Sequence, residues 1–459
     1  AWFKPGVHVF SAKDIFFLPS NTTVYIEGGA VIYGRLHGQN ASNIKILGRG
    51  VINGNKLDRR ADHGDGPDSY LMRFVRCNNI EVNGIILQDS PHWTFVNIEC
   101  EKVKVHGLRL VGQRRSNNDG MDIVNCRDFT VDHSFVRTID DAITVKGKYI
   151  GGERNLVSDI VVQNSVLWNE DAGNVQEIGF ETLTEQMQNI IFRNNDVIHN
   201  HSGGTMTIHN GDAARITGVV NDDIRIETKR GGSLVEMYIR DTYYSTGLER
   251  GEIDGVTFNR IRYMPADDRQ STLNGYDENS GIKNLVFSDV VVNGKQLLGP
   301  YDSGKAQVGY DQYVQKPTFT AAATKFEPKP GRLTEAESLT ATLPGGAGQQ
   351  VVDHDMANGG QYLAIELNNV GDTAAVAVEA PNSAHYIPII NLHKGPQGGV
   401  FKVLVDGKDY NYWLDTYCED EIMQAYYLTD LYLAAGSHTL TFEAVGSHPA
   451  SAGVALGLD

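Results

Sequence analysis

One short pattern recurs from Ile80 to Val286: apolar, any, apolar, any, then a small or polar residue. It reads Ile80-Glu81-Val82-Asn83-Gly84, Val103-Lys104-Val105-His106-Gly107 and Phe129-Thr130-Val131-Asp132-His133. It continues through Ile160-Val161-Val162-Gln163-Asn164, Ile190-Ile191-Phe192-Arg193-Asn194 and Val219-Val220-Asn221, with weaker copies at Gly255-Val256 and Leu285-Val286. With Val82, Val105, Val131, Val162, Phe192, Val219, Val256 and Leu285 as equivalents, the gaps run from 23 residues (82 to 105) to 37 (219 to 256). A period in this range marks a repeat architecture. Alternation within each copy is that of a strand with one buried face, and the Gly or Asn that follows suits a tight turn. No helical stretch long enough for a βαβ crossover lies between the copies. Stacked β-coils are expected.

The cysteines give an independent check. Cys77, Cys100 and Cys126 each precede an anchor by five residues, so they should stack on successive rungs about 4.8 Å apart. Val157 and Met187 continue that row with plain hydrophobes, which favours a buried apolar ladder over a disulfide or metal role. With four cysteines in 459 residues, the chain is no disulfide scaffold.

After residue 309 the rhythm stops. Residues 310–332, with Lys316-Pro317 and Glu327-Pro328-Lys329-Pro330-Gly331, read as a linker. Residues 333–459 are strand-rich, at Tyr362–Glu366, Ala375–Glu379, Phe401–Val405 and Thr439–Glu443, with turns such as Val405-Asp406-Gly407 between them. The expected fold is all-β: a right-handed parallel β-helix over 1–309, followed by a smaller β-sandwich.

Charge narrows the function. A formal net charge of −17 argues against nucleic acid and anionic membrane surfaces, which reward Lys and Arg. No apolar run approaches the ~20 residues of a membrane span. Ala1–Val7 shows neither a basic n-region nor an apolar h-region, so an export signal or upstream module is expected to be missing from a secreted or periplasmic protein. The oligomeric state stays open.

The sharpest chemical signal is Asn117-Asn118-Asp119-Gly120-Met121-Asp122, followed by Asp140-Asp141. The offset from Asp119 to Asp140, 21 residues, is close to one coil. Aligned that way, Met121 faces Ala142, and Asp119 lies beside Asp140 with Asp141 next door. Glycoside hydrolysis needs such a set, one carboxyl protonated to serve the leaving oxygen and another ionised to activate water. Crowding like charges supplies the asymmetry. Adjacent strand residues face opposite ways, so Asp140 and Asp141 can share a cleft only at a strand end or bulge. A turn or calcium-binding role is the bland alternative for each aspartate singly.

These residues, with Ser90-Pro91-His92-Trp93 upstream, resemble glycoside hydrolase family 28, the polygalacturonases. Family 49, the dextranase and isopullulanase group of the same clan, is matched by Phe3-Lys4-Pro5-Gly6-Val7-His8, Val166-Leu167-Trp168-Asn169, Val175–Phe180 and Asp196-Val197-Ile198-His199. The resemblance covers roughly residues 1–300 and implies inverting, single-displacement hydrolysis without a cofactor. By position, Asp140 would be the general acid, while Asp119 and Asp141 would hold and deprotonate water. Polygalacturonases carry Gly-His-Gly where this chain has Gly173-Asn174-Val175, and Arg-Ile-Lys where it has Thr207-Ile208-His209. Without those cations to grip a uronate, and with His209 largely neutral at pH 7 unless its pKa is raised, a neutral glycan is the expected substrate. Lys146 and Arg215 are the substitute grips if it is not.

Further substrate-binding candidates are Asn117, Lys146, Trp168, Gln176, Glu177, Phe180, His209 and Asn210, with Trp93 as another stacking surface. For the aromatics, burial in the core is the competing role; for the polar residues, a satisfied turn or ladder position. His199 and His201 make no convincing metal site, and no metal is expected. Residues 333–459 resemble the galactose-binding-like sandwiches appended to glycosidases, which bind carbohydrate or simply pack. The expected function is an inverting hydrolase of α-linked neutral poly- or oligosaccharide. A pectin-type hydrolase is the alternative, then a non-catalytic carbohydrate-binding β-helix; a lyase would need a Lys or Arg base that is not apparent.

Overall fold

The computed structural model describes residues 1–10, 15–57, 70–112, 117–148, 156–227, 232–264, 269–302, 307–321, 334–354, 357, 360–386, 388–419, 421–428, 431–448 and 450–459. Two compact units emerge, Ala1–Thr324 and Lys325–Asp459. In the first, most coils contribute three strands, as in Asn78–Asn83, Ile86–Gln88 and Phe95–Ile98, and the next coil repeats them as Glu101–His106, Arg109–Val111 and Met121–Val124; in Gln186–Asn200 and Arg215–Ile226 two of the three run on as one. Equivalent strands pair in parallel, with Val82 against Val105, Val105 against Val131, Val131 against Val162 and Val162 against Phe192. The parallel β-helix expected from the repeat is therefore present. Its core is one continuous column of buried Val, Ile, Leu and Phe.

One anchor is displaced. Phe192 pairs with Asn221, whereas Val219 pairs with Ile190. The slip is two residues, so inward side chains stay inward, and spacing alone cannot detect it. Val219 is back in register with Val256, and Val256 with Leu285.

Corners explain the small and polar residues. Gly84, Gly107, His133 and Asn164 follow equivalent strands, Asn194 and Asp223 bend longer strands at the same place, and all have left-handed φ between 48° and 79°. Each turns the chain at the same corner. Asn side chains also bond along the stack, Asn194 donating to Asn164 (2.7 Å) and Asn164 to Asp132 (2.8 Å). Cys77, Cys100 and Cys126 are free, buried and stacked, as their spacing predicted; the Cys100 N–H donates to Cys126 Sγ at 3.4 Å. Val157 pairs with Met187 in the continuation of the row.

Part of the stretch expected as a linker at 310–332 is strand. Val308–Tyr310 pairs with Ser271–Leu273, and Thr318–Thr320 with Val286–Ser288. Phe319 extends the column by stacking on Phe287 (5.0 Å, 12°), which stacks on Phe258 (4.8 Å, 19°). Pro317 stands just before its strand, where no ladder amide is needed. The Pro-rich segment Glu327–Gly331 lies outside the described residues.

The second unit contains a five-stranded and a four-stranded antiparallel sheet. Leu363, Ile365, Leu392 and Leu456 from one meet Val376, Phe401, Val403 and Phe442 from the other in a shared core. The expected turn is a tight hairpin, with Asp406 (φ 50°) and Gly407 (φ 73°) both left-handed. Among the described residues, no helix is long and apolar enough to cross a membrane.

Two glycines separate corner geometry from close packing. A Cβ at Gly48 (φ 124°) would stand 1.9 Å from the Ile26 carbonyl oxygen, whereas at Gly107 (φ 59°) the nearest atom is 3.9 Å away. Gly48→Ala should therefore cost roughly 2 kcal/mol or more. Gly107→Asn, a residue the same corner uses elsewhere, should stay within about 1 kcal/mol. Denaturant unfolding of the two variants checks the contrast.

Candidate active site

Asp140 and Asp141 lie in the turn between the strands Phe135–Thr138 and Ile143–Gly147, and Asp119 sits just ahead of Met121–Val124. Because the pair lies off the strand, both side chains escape its alternation. The 21-residue alignment needs correction. Met121 pairs with Ile143, an offset of 22, and Gly120 N–H donates to the Asp141 carbonyl at 2.8 Å. Asp119 is therefore level with Asp141, not Asp140. The three carboxyls still converge, offering oxygens that all lie within 4.8 Å of one another.

Backbone groups hold them. Asp140 Oδ2 accepts from Asn117 N–H (3.0 Å) and Oδ1 from Asp141 N–H (3.0 Å), while Asp141 Oδ1 accepts from Asn174 N–H (2.7 Å). Gly173 (φ 68°) permits that approach, since a Cβ there would stand 2.4 Å from Asp140 Oδ1 and from Asp141 N. Asn118 is fully buried and donates to the carbonyls of Ser90 (3.1 Å) and His92 (3.3 Å). It ties the Ser90–Trp93 turn to the coil that carries Asp119.

Burial then sets protonation. Loss of hydration, with the repulsion of Asp140 and Glu177, raises Asp141 to about 8 against the pull of Lys146. Asp119 is pushed well up by burial and by Asp122, Asp140 and Asp141. Asp122, fully buried beside them, is raised by burial too, and neither of its carboxyl oxygens finds a hydrogen-bond partner among the described residues. Lys146 keeps its charge because Glu181 and the aspartates outweigh its burial, and Glu181, between Lys146 and Lys148 at 3.0 Å each, falls to about 2 despite its own burial. The same trio could bridge a hard cation. Against that, Lys146 already supplies a positive charge there, and two of the three acids hold protons near neutrality.

The trio opens into a cleft of about 390 Å³ that also presents Asn117, Lys146, Phe180 and His209. Glu177 lies beneath it, fully buried, with its Oε1 3.0 Å from His209 Nδ1. Burial would lower His209, but Glu177 and Glu236 overcome it and hold the imidazole at about 9. The condition attached to a neutral His209 is therefore not met: its pKa is raised, and it carries a positive charge at pH 7.

Other expected contacts lie elsewhere. Gln176 pairs between Ile143 and Met206 and faces the apolar interior with Ile178 and Phe258. It took the inward register, whereas its neighbour Glu177 took the outward one. Asn210 is fully buried, accepting from Thr182 Oγ1 (2.7 Å) and donating to the Ala214 carbonyl (2.8 Å). It holds a corner. Trp168 belongs to a different sheet, beneath the Arg137 guanidinium (4.2 Å) and beside His199 (5.6 Å). Arg215, the substitute grip, is in an exposed ladder with Glu252 and Asp254.

The cleft includes residues that sequence reasoning missed: Asn174, Glu181, Glu236, Tyr244 and Arg269. Glu236 was reachable, since Glu177 pairs with Thr207 and Thr207 with Glu236 on the same outward row. Tyr244 and Arg269 sit outside the strands and carry no periodic signal. Trp93 does line the cleft, stacked on Tyr70 (5.6 Å, 16°) with Lys146 Nζ 4.9 Å from its ring centre.

A sequence model of the family described as Glycosyl hydrolases family 28 matches residues 15–298. The isopullulanase of Aspergillus niger is 26% identical over 219 residues, covering 43% of this chain and 36% of that protein. The dextranase of Arthrobacter sp. (strain CB-8) is 22% identical over 291 residues, covering 59% of this chain and 42% of that protein. The chain thus spans less than half the length of these relatives. The exopolygalacturonase of Thermotoga maritima superposes with a TM-score of 0.53 at 15% identity, covering 71% of this chain and 84% of that one, which is a likeness of fold.

The raised acids make a stability prediction. Asp141 moves from 3.8 to about 8, so its favourable contribution is complete below 3.8 and is lost as pH rises through 8. Asp141→Asn keeps the shape and removes that titration. Its Tm relative to the unsubstituted protein should rise steadily between these limits. A Tm difference independent of pH would refute the assignment.

Proposed function

The chain belongs to glycosyl hydrolases family 28, and we propose that it hydrolyses α-glycosidic bonds of a neutral poly- or oligosaccharide with inversion, outside the cell or in the periplasm. The observation that carries the reading is the convergence of Asp119, Asp140 and Asp141 at the edge of an open cleft. Asp140, the member of the trio with partial exposure, serves the leaving oxygen, while Asp119 and Asp141 hold the attacking water. Burial and mutual repulsion retain the necessary proton within the cluster, whose carboxyls are close enough to exchange it. Trp93 and Phe180 offer flat apolar surfaces to sugar rings.

Two points bear on the finer reading. General separation rules put the acid and base of inverting enzymes ~6.5–9.5 Å apart and those of retaining enzymes ~5–5.5 Å. The trio is tighter than either range by its closest oxygens. Inversion therefore rests on family membership rather than on spacing. His209, raised by Glu177 and Glu236, is a cation within the cleft. Yet among the described residues each cation of the cleft already faces a carboxylate: Lys146 faces Glu181, His209 faces Glu177 and Glu236, and Arg269 faces Glu236. A uronate would have to displace a carboxylate already paired with one of these, at a desolvation cost with little return. The pectin-type alternative draws on Arg269, whose guanidinium stands 4.0 Å from Glu236, a looser pairing than Lys146 with Glu181.

Two outcomes are expected. Asp140→Asn should lower turnover by roughly 10²–10⁴-fold with folding intact; near-normal turnover would favour a binding protein. Incubation with α-glucans, other neutral glycans and polygalacturonate should release sugar from a neutral one. Proton NMR of the first product should then show the anomer opposite to the bond cleaved. Cleavage of polygalacturonate alone would move the assignment to the pectin-type reading, and initial retention would make one aspartate a nucleophile.

A further inference from the structure

Three residues far apart in sequence meet in the second unit. His393 lies on the strand Ile389–Lys394, Glu421 immediately precedes its antiparallel neighbour Ile422–Tyr427, and His354 follows the strand Gly348–Asp353 on the opposite side of the same sheet. Strand order explains how they meet. His393 pairs with Gly457 on the intervening strand. A Cβ at Gly457 would stand 2.6 Å from His393 Cβ and 3.0 Å from Tyr362 Cε2. With glycine there, His393 and Tyr362 close over the strand from either side, their rings stacked at 4.4 Å and 12°. His354 reaches the pair, its ring 5.2 Å from His393 and edge-on to Tyr362. The His354 backbone is pinned by bonds from its N–H to the Gly360 carbonyl (2.8 Å) and from Ala357 N–H to its own carbonyl (3.0 Å).

We propose that His354, His393 and Glu421 form a binding site for a divalent transition-metal ion, zinc by its donor set. The three residues offer one nitrogen or carboxylate oxygen each, all within 4.8 Å of one another. His354 Nε2 and Glu421 Oε2 stand 3.6 Å apart, too far for a hydrogen bond. Two ligands of one tetrahedral zinc ion lie about 3.3–3.6 Å apart, given bonds of ~2.0–2.2 Å. His393 Nε2 is a buried atom with no hydrogen-bond partner among the described residues, and ring stacking fixes the plane in which its lone pair projects. Two imidazoles and one carboxylate suit zinc, whereas calcium and magnesium favour all-oxygen sets. Glu421 keeps its side chain 61% exposed, which gives the ion an entry path and leaves the fourth position to solvent.

A second cluster of similar composition shows the contrast. In the first unit, His106 Nδ1 and His133 Nδ1 stand 3.1 and 2.9 Å from the same oxygen of Asp132. Those are hydrogen-bonding distances, and the nitrogens that would ligate an ion are already engaged with the carboxylate. In the second unit the three donors lie within 4.8 Å of one another, and His354 Nε2 stands 3.6 Å from Glu421 Oε2. An ion there would clip together three segments and stabilise the sheet as metal binding is linked to folding.

The test uses the full chain, freed of metal by a chelator and titrated with zinc chloride by calorimetry. One zinc ion per chain is expected, with a rise in Tm, and calcium should not compete. His393→Ala and Glu421→Gln should each weaken binding by about tenfold or more and abolish the Tm rise, whereas His133→Ala and Asp140→Asn should change neither. Glu421→Gln alters an exposed side chain and decides the matter if His393→Ala fails to fold. Absence of saturable binding, binding that survives Glu421→Gln, or binding lost with His133→Ala or Asp140→Asn would overturn the proposal. None of these outcomes depends on whether the protein hydrolyses glycans.

Discussion

Parallel, in-register stacking of one coil on the next is the constraint from which the rest of the first unit follows. Backbone hydrogen bonds between coils require every strand to meet its equivalent, so each corner must turn at the same place. The rows of left-handed residues from Gly84 to Asp223 are the local cost of that demand. Glycine, asparagine and aspartate carry most of it because they tolerate the conformation best. Once stacking is set, inward positions fuse into a single apolar column, and the cysteine row is one strip of it. Side chains on outward rows are brought to the spacing of the coils whatever their separation in sequence. Glu177, Thr207 and Glu236 become neighbours on this basis.

The candidate site exploits the same geometry electrostatically. Placing acids on successive coils near the stack surface brings charges together in dehydrated surroundings, which raises Asp119, Asp122 and Asp141. Lys146 and Lys148 limit the repulsion, and Glu181 balances both. His209 is treated likewise, held protonated by Glu177 beneath it and Glu236 beside it. The cleft is thus a lattice of alternating charges in which cations are already matched. Protons are kept within the carboxyl cluster by the same burial and crowding.

In the second unit, antiparallel strands achieve a comparable convergence by other means. There a single residue without a side chain, Gly457, lets two rings from flanking strands meet across the strand between them. The histidines and Glu421 then face one another although 67 residues separate His354 from Glu421 (421 less 354). Neither composition nor local spacing marks such a site.

Periodicity carried the architecture, because burial on one face of a regularly coiled chain leaves a repeating apolar signature that needs no tertiary information to read. The Cys77–Cys100–Cys126 row and the anchors Val82 to Phe192 were legible for that reason. So was the convergence of the aspartate trio, since an offset close to one coil places acids on neighbouring rungs. Register finer than one coil was not legible. Loops of different length between strands conceal a shift of one residue, as from 21 to 22 at Asp119, or of two, as at Phe192. Whether a polar residue faces in or out depends on that register, so Gln176 turned to the core while Glu177 faced outward. Protonation was the least legible property of all. His209 reads as a neutral imidazole in sequence and becomes a cation only where folding buries it between two carboxylates, because electrostatic energies depend on distances and hydration that the chain acquires only in its tertiary structure.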